Sequence, residues 1–230
     1  MENAQKMLPI IYEDKDLLVC RKRAGLATQS ANPMSPDLES QLRNYLHGGE
    51  LHVIHRLDQP VEGILVFAKN KKTASDLGTQ VNNGQMKKIY HALICGRMDE
   101  KSKCLTNYLV KLKNGLGQVV STEQRQQPQY RDAKKAELSY RELYYLEKKD
   151  ISELEIDLKT GRFHQIRLQM SYAGHPLVGD SKYGGACAKE KAAELGLYYA
   201  ALSACHLEFI HPGTKKKMQF DIEPEFEQKI

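Results

Sequence analysis

Two short segments concentrate the side chains able to do chemistry. His55-Arg56-Leu57-Asp58-Gln59-Pro60-Val61-Glu62-Gly63 sets two cationic-capable groups and a carboxylate between two apolar runs. Thr160-Gly161-Arg162-Phe163-His164-Gln165-Ile166-Arg167 opens a stretch of helical spacing, in which His164 and Arg167 would share a face at i, i+3. A carboxylate at the end of a buried strand is costly to desolvate unless a cation pairs with it, and Arg167 is a candidate partner for Asp58. Two readings stand side by side. The pair is an ion pair that fixes loops, or it is a carboxylate poised for nucleophilic or acid–base chemistry.

Other chemistries lack their residues. Neither GxGxxG nor GxxxxGK[ST] occurs, so a phosphate-cradling loop is unsupported, and no GxSxG nucleophile elbow is present. His52 and His55 are three apart on a run that reads as strand, which turns them to opposite faces and makes them a poor metal pair. No metal is expected. Lys215-Lys216-Lys217 beside Gly213 reads as a solvated turn.

The elements that must position these segments follow from periodicity. Ile10–Tyr12 and Leu17–Arg21 flank Glu13-Asp14-Lys15-Asp16, a hairpin signal. Ser35 as cap, Pro36 in the first turn and Leu38, Leu42 and Leu46 at four-residue spacing predict a helix that Gly48-Gly49 ends. His52–Ile54 and Ile64–Ala68 read as buried strands around the Asp58 segment. A second helix starts at Thr73, carries Ala74, Leu77 and Val81 on one face and stops at Asn82-Asn83-Gly84. Lys88–Cys95, Glu137–Tyr145, Ile151–Leu158, His206–Ile210 and Met218–Ile222 read as strands; 164–173 and 188–195 read as helices. Residues 113–135, polar and aperiodic, read as a mobile loop or a hairpin tip. Strand runs joined by tight turns, with interspersed helices, predict an α+β fold on a mixed, largely antiparallel sheet.

The composition is that of a globular chain. Of 230 residues, 41% are hydrophobic and 27% charged, which disfavours disorder, collagen and coiled coil. Lys and Arg exceed Asp and Glu by 34 to 29, a net +5 that permits a polyanionic partner without demanding one. Trp is absent and Tyr numbers 12, so tyrosine is the main stacking residue. Five cysteines without a CxxC pair argue against a disulfide framework or a thiolate zinc site and suggest reduced, buried thiols. No secretory signal or membrane-spanning run is visible, and a cytoplasmic protein without membrane association is expected.

At these residues the chain resembles the RluA-type RNA pseudouridine synthases. His55-Arg56-Leu57-Asp58 followed by Gly63 resembles the family's HRLD motif. Lys88-Ile89-Tyr90-His91-Ala92 with Gly96 resembles its KxYxA…G strand. Residues 161–167, with Gly174-His175-Pro176-Leu177-Val178-Gly179-Asp180 and Tyr183-Gly184, resemble its GRxHQIR…GHPxxGDxxYG segment. The likeness runs from about Ile10 to Phe226. It implies a leader over 1–9, a single catalytic domain over 10–226 with a central active-site cleft and no S4-like domain before it, and a tail over 227–230.

The resemblance also implies roles. Asp58 would be the catalytic nucleophile, Tyr90 would lie against the target uracil, Arg167 would pair with Asp58, and Arg56 would fill the space left by a flipped nucleotide. His55, Lys88, Arg162, His164 and Gln165 would join Arg56 in binding RNA. The reaction would cleave the C1′–N1 bond of a uridine in structured rRNA or tRNA, turn the base and rejoin it through C5, with no cofactor. The base must leave its stack, at a cost of a few kcal/mol. A monomer is expected. The chain departs from the family pattern where Val61-Glu62 replaces Thr-Ser, Lys22-Arg23 replaces Lys-Pro and Gln169 replaces His. Glu62 would add a carboxylate near Asp58 or point to solvent. Two alternatives follow: an RNA-binding or folding factor that has lost catalysis, and a nucleoside glycosidase that would need Glu62 as its second carboxylate.

Overall fold

The Asp14 carboxylate accepts the backbone N–H groups of Asp16 and Leu17 at 2.8 and 2.9 Å, and this closes the first turn. The turn joins strand β1 (Ile10–Glu13) to β2 (Leu17–Lys22), as the sequence predicts. The computed structural model describes residues 8–30, 32 and 34–230, so residues 1–7 of the expected leader lie outside the described residues. Pro9 already takes part in the fold, accepting the Arg21 N–H at 2.9 Å. The stretch expected to form one domain over 10–226 divides into two compact units, one of residues up to Met86 with His206–Ile222, the other of Lys87–Cys205 with Glu223–Ile230.

In the first unit β2 pairs antiparallel with β4 (Glu62–Ala68), whose seven residues are all buried. The two-residue strand β3 (His52–Val53) pairs with the end of β4. Helix α1 (Leu38–Tyr45) buries Leu38 and Leu42. Its cap is Asp37 rather than Ser35: one carboxylate oxygen accepts the Ser40 N–H at 2.7 Å and the other the Ser30 N–H at 2.8 Å. A carboxylate that bridges helix and loop outcompetes a hydroxyl two residues earlier. Helix α2 (Lys71–Asn82) starts two residues before the expected Thr73, because Asn70 caps it and accepts the Thr73 N–H.

Leu17, Val19, Ile64, Val66 and Leu77 form the core of this unit with Leu207 and Phe209. The last two lie on strand β10 (Leu202–Ile210), which begins in the second unit and pairs antiparallel with β11 (Lys217–Asp221). Lys215, Lys216 and Lys217 are exposed, as a solvated turn requires.

The second unit is an antiparallel sheet in the order β5 (Lys87–Cys95), β9 (Ile151–Leu158), β8 (Lys134–Leu146), β6 (Ser102–Lys111), β7 (Gly117–Val120). The α+β architecture with antiparallel ladders agrees with the sequence reading. Of the two readings of residues 113–135, the hairpin tip holds at their start, where β7 pairs back on β6, and two 3-10 turns, Gln124–Gln126 and Pro128–Tyr130, follow within them. Helix α3 (Gln165–Tyr172) ends at Gly174, whose φ of +87° suits glycine at that place. Helix α4 (Gly185–Leu195) packs Ala188, Ala192 and Leu195 on Leu93, Ile151 and Phe226.

Residues 227–229, within the expected tail, belong to a 3-10 turn (Glu225–Lys229), and Lys229 Nζ donates to the Gly196 carbonyl at 2.6 Å. All five cysteines are unpaired; Cys20, Cys95 and Cys205 are buried, whereas Cys104 and Cys187 are exposed, contrary to the expectation of buried thiols throughout. No helix among the described residues is long and apolar enough to cross a membrane.

Candidate active site

Asp58 sits in the loop between β3 and β4, and the loop is held from three sides. The buried Thr28 hydroxyl donates to the Leu57 carbonyl at 2.9 Å and accepts the Leu57 N–H at 3.2 Å, so one side chain satisfies both backbone groups of the preceding residue. The Val61 N–H closes the turn on the Asp58 carbonyl at 3.0 Å. The half-buried His55 ring accepts the Val66 N–H on Nε2 at 3.3 Å, which ties the loop to β4 and places the ring proton of a neutral imidazole on Nδ1. Asp58 is half-buried and Arg56 exposed. A polar groove of about 510 Å³ adjoins the segment, with Arg43, His52, His55 and Arg56 among its walls.

Lys22, to which the sequence reading gives no role, anchors the same loop. It is fully buried, and its ammonium donates to the carbonyls of Arg23, Leu26 and Gln59 at 3.1, 2.6 and 3.2 Å. Burial pushes its pKa down to about 8, while the charges of Asp58 and Glu62 act in the opposite direction. Glu62 does not point to solvent: its side chain is 5% exposed and pairs with Arg21 at 2.9 Å.

The second unit carries the other predicted residues. Tyr90 is buried on β5 opposite Ile156. Lys88 stands half-buried on the same strand, its ammonium about 4 Å from where a Cβ on Gly161 would lie, and burial lowers its pKa. Arg167 is buried on α3, where Nε and Nη2 each meet an oxygen of Asp180 at 2.7 Å, a bidentate fork. Burial opposes ionisation of Asp180, but Arg167 and the N–H groups of Lys182 and Tyr183 outweigh it and hold the carboxyl below its ordinary value. The Arg167 guanidinium also lies over the Tyr183 ring, 5.2 Å from its centroid.

His164 is not part of the helix. It occupies the cap position with φ +51°, so the i, i+3 face expected for His164 and Arg167 does not form there. Its ring stacks on Phe163 at 3.7 Å and meets the Tyr183 hydroxyl at 2.7 Å, which in turn accepts the Gly117 N–H. Gln165 is buried and engaged through both ends of its amide: Nε2 donates to Glu137 O and Gln169 Oε1, and Oε1 accepts from Thr160 and Arg162. Arg162 is exposed and donates from Nε to the Lys135 carbonyl.

Two glycines make the Asp180–Tyr183 loop possible. Gly179 has φ +77° and a Cβ there would lie 2.3 Å from the Tyr199 carbonyl oxygen; a Cβ on Gly184 would lie 2.4 Å from that of Asp180. Asp180 and Tyr183 thus fix Arg167 and His164, a function the GDxxYG spacing could have signalled. Lys22 left no local signal, because its burial depends on carbonyls from distant segments.

A family model described as RNA pseudouridylate synthase matches residues 16–172. The ribosomal large subunit pseudouridine synthase C of Vibrio cholerae is 30% identical over 212 residues, 91% of this chain and 64% of the relative, so the chain spans just under two thirds of that protein. The tRNA pseudouridine synthase C of Vibrio cholerae is 30% identical over 225 residues, covering 92% of this chain and 89% of the relative. Among solved structures, human RNA pseudouridylate synthase domain containing 4 superposes with a TM-score of 0.72 over 94% of this chain and 88% of that one, at 22% identity, a likeness of fold.

Proposed function

The chain belongs to the RNA pseudouridylate synthase family, and from that premise we propose that it isomerises specific uridines in rRNA or tRNA to pseudouridine. The observation that carries the proposal is the match of the family model over residues 16–172, a span that includes Asp58, Tyr90 and Arg167. In this reading Asp58 is the nucleophile, on a loop whose backbone Thr28 and Lys22 hold fixed, and a fixed nucleophile gains from proximity. Tyr90 offers a rigid ring for the uracil, an interaction of ~1–3 kcal/mol per stacked base. Arg56, exposed and cationic, occupies the gap of the flipped nucleotide. Arg167, shaped by Asp180, is the proposed partner of the Asp58 carboxylate. Lys88, Arg162 and the groove walls His55 and Arg43 supply phosphate contacts, which makes binding weaken with salt. Gln165 and His164 serve by holding the Arg162–Arg167 segment in place. The protein is taken to act as a cytoplasmic monomer.

The Glu62–Arg21 pair bears on the alternatives. A buried glutamate held by an arginine is a structural strut, which argues against its use as the second carboxylate of a glycosidase. The test is to incubate the protein and an Asp58→Asn variant with rRNA and tRNA transcripts and map pseudouridine by chemical probing. The wild type is expected to convert discrete uridines, and Asp58→Asn to lose at least about a thousandfold in rate, as removal of a nucleophile does elsewhere. RNA binding without conversion in any transcript overturns the isomerase in favour of a binding factor. Release of free uracil establishes the glycosidase instead.

A further inference from the structure

Three donor atoms converge in the second unit on a place that the proposed reaction does not use. His91 on β5 faces Glu153 on β9 and Glu227 in the 225–229 turn. His91 Nδ1 lies 2.8 Å from Glu153 Oε1 and 3.3 Å from Glu227 Oε1, and all three atoms lie within 4.8 Å of one another. A ring nitrogen carries at most one hydrogen, and its hydrogen-bond geometry is with Glu227. Glu153 Oε2 accepts from the Tyr144 hydroxyl, while Oε1, on a side chain 1% exposed, has the charge contact with His91 and no aligned hydrogen bond. Two carboxylates thus crowd one imidazole in a place where Glu153 is buried, an arrangement that a cation would relieve.

We propose that His91, Glu153 and Glu227 bind a divalent zinc ion that joins β5 and β9 to the C-terminal turn. One imidazole and two carboxylates form a donor set suited to zinc, with water as a fourth ligand. Zinc at ~2.0–2.2 Å from each donor would set tetrahedral ligands roughly 3.3–3.5 Å apart, so the separations here need adjust by only a fraction of an ångström around Nδ1. The contact with Cys205 and then the Glu153 carboxylate raise the His91 pKa to about 10 against the effect of burial.

The other cluster of comparable make-up among the described residues, Asp14, Asp16 and His211, lacks this character. There His211 Nδ1 accepts the N–H groups of Gly213 and Thr214 while Nε2 meets Asp14 at 2.7 Å, so both ring nitrogens are satisfied.

The experiment is calorimetric titration of zinc into the chelator-stripped full chain in mildly alkaline buffer, with magnesium as control, followed by cobalt(II) absorption spectroscopy. One zinc per chain and intense visible cobalt bands of a tetrahedral site are expected, with no comparable magnesium binding. Glu227→Gln, on a partly exposed turn, is expected to fold and to weaken zinc by at least about tenfold, the loss that even an outer partner of a metal site causes. Glu153→Gln should match it where it folds. Absence of saturable zinc binding, or unchanged zinc affinity and cobalt bands in Glu227→Gln, overturns the site.

Discussion

Lys22 and Arg167 are both buried cations, and the two units keep them by different means. Lys22 is surrounded by carbonyl dipoles, and its pKa falls to about 8. Arg167 meets a full carboxylate in a bidentate fork, and it is Asp180 whose pKa falls. Dipoles support an ammonium that can shed its proton when solvent turns alkaline. A guanidinium cannot shed its proton, so it needs a formal counter-charge. The difference fits the work of each loop: Lys22 staples backbone around Asp58, whereas Asp180 aims one side chain.

Substitutions test this contrast. The largest effect is expected for Asp180→Ala, which leaves the Arg167 guanidinium without its bidentate partner in a buried place. Chemical denaturation should show a loss of about 3–5 kcal/mol. A loss below about 1 kcal/mol would mean that other groups suffice for Arg167 and would break the contrast.

Lys22→Met comes next, with roughly 1–3 kcal/mol lost at neutral pH as three carbonyls lose their donor. Its signature is the pH dependence of the difference from wild type. The folded Lys22 pKa of about 8 lies below the ordinary 10.5. Between those values the unfolded chain binds the extra proton, so the Lys22 contribution to wild-type stability rises with pH. The variant should lack that rise, and parallel curves for the two proteins would show that carbonyls hold the ammonium at its ordinary value. Taking the difference removes His91, whose raised pKa acts in the opposite direction, its stabilisation being full below about 6.5 and lost as pH climbs through about 10.

Glu62→Gln should cost least, under about 1 kcal/mol by denaturation, because Arg21 keeps a quarter of its side chain in solvent. Uridine conversion and its pH profile should be unchanged. A shifted profile would make Glu62 a regulator of Asp58 rather than a strut.

Much of this was legible in the residues. Continuous apolar runs located β2 and β4, which are buried almost throughout, and period-four and period-two spacing located α2 and β9. Beyond a hairpin tip within 113–135, strand β6 was not legible, since it exposes much of its length and so carries no alternation to read. His164 was assigned to a helix that starts one residue later, because a left-handed residue with a ring stacked on Phe163 has no periodic mark. Motif residues announced Asp58, Tyr90 and Arg167. Lys22 and Thr28 went unseen, since their partners are backbone groups up to 37 positions away, and backbone carries no letter code.

The path of β10 has a temporal consequence. The first unit takes its apolar partners Leu207 and Phe209 from a segment about 120 residues beyond Met86. On a ribosome adding ~5–20 residues per second, the early strands β1, β2 and β4 wait roughly 6–24 seconds for those partners. The intervening 87–205 stretch holds nearly all of the second unit and can collapse during that interval. Vectorial synthesis would then mature the Arg167 scaffold first, and the Asp58 loop would gain its full footing only as the nascent chain nears completion.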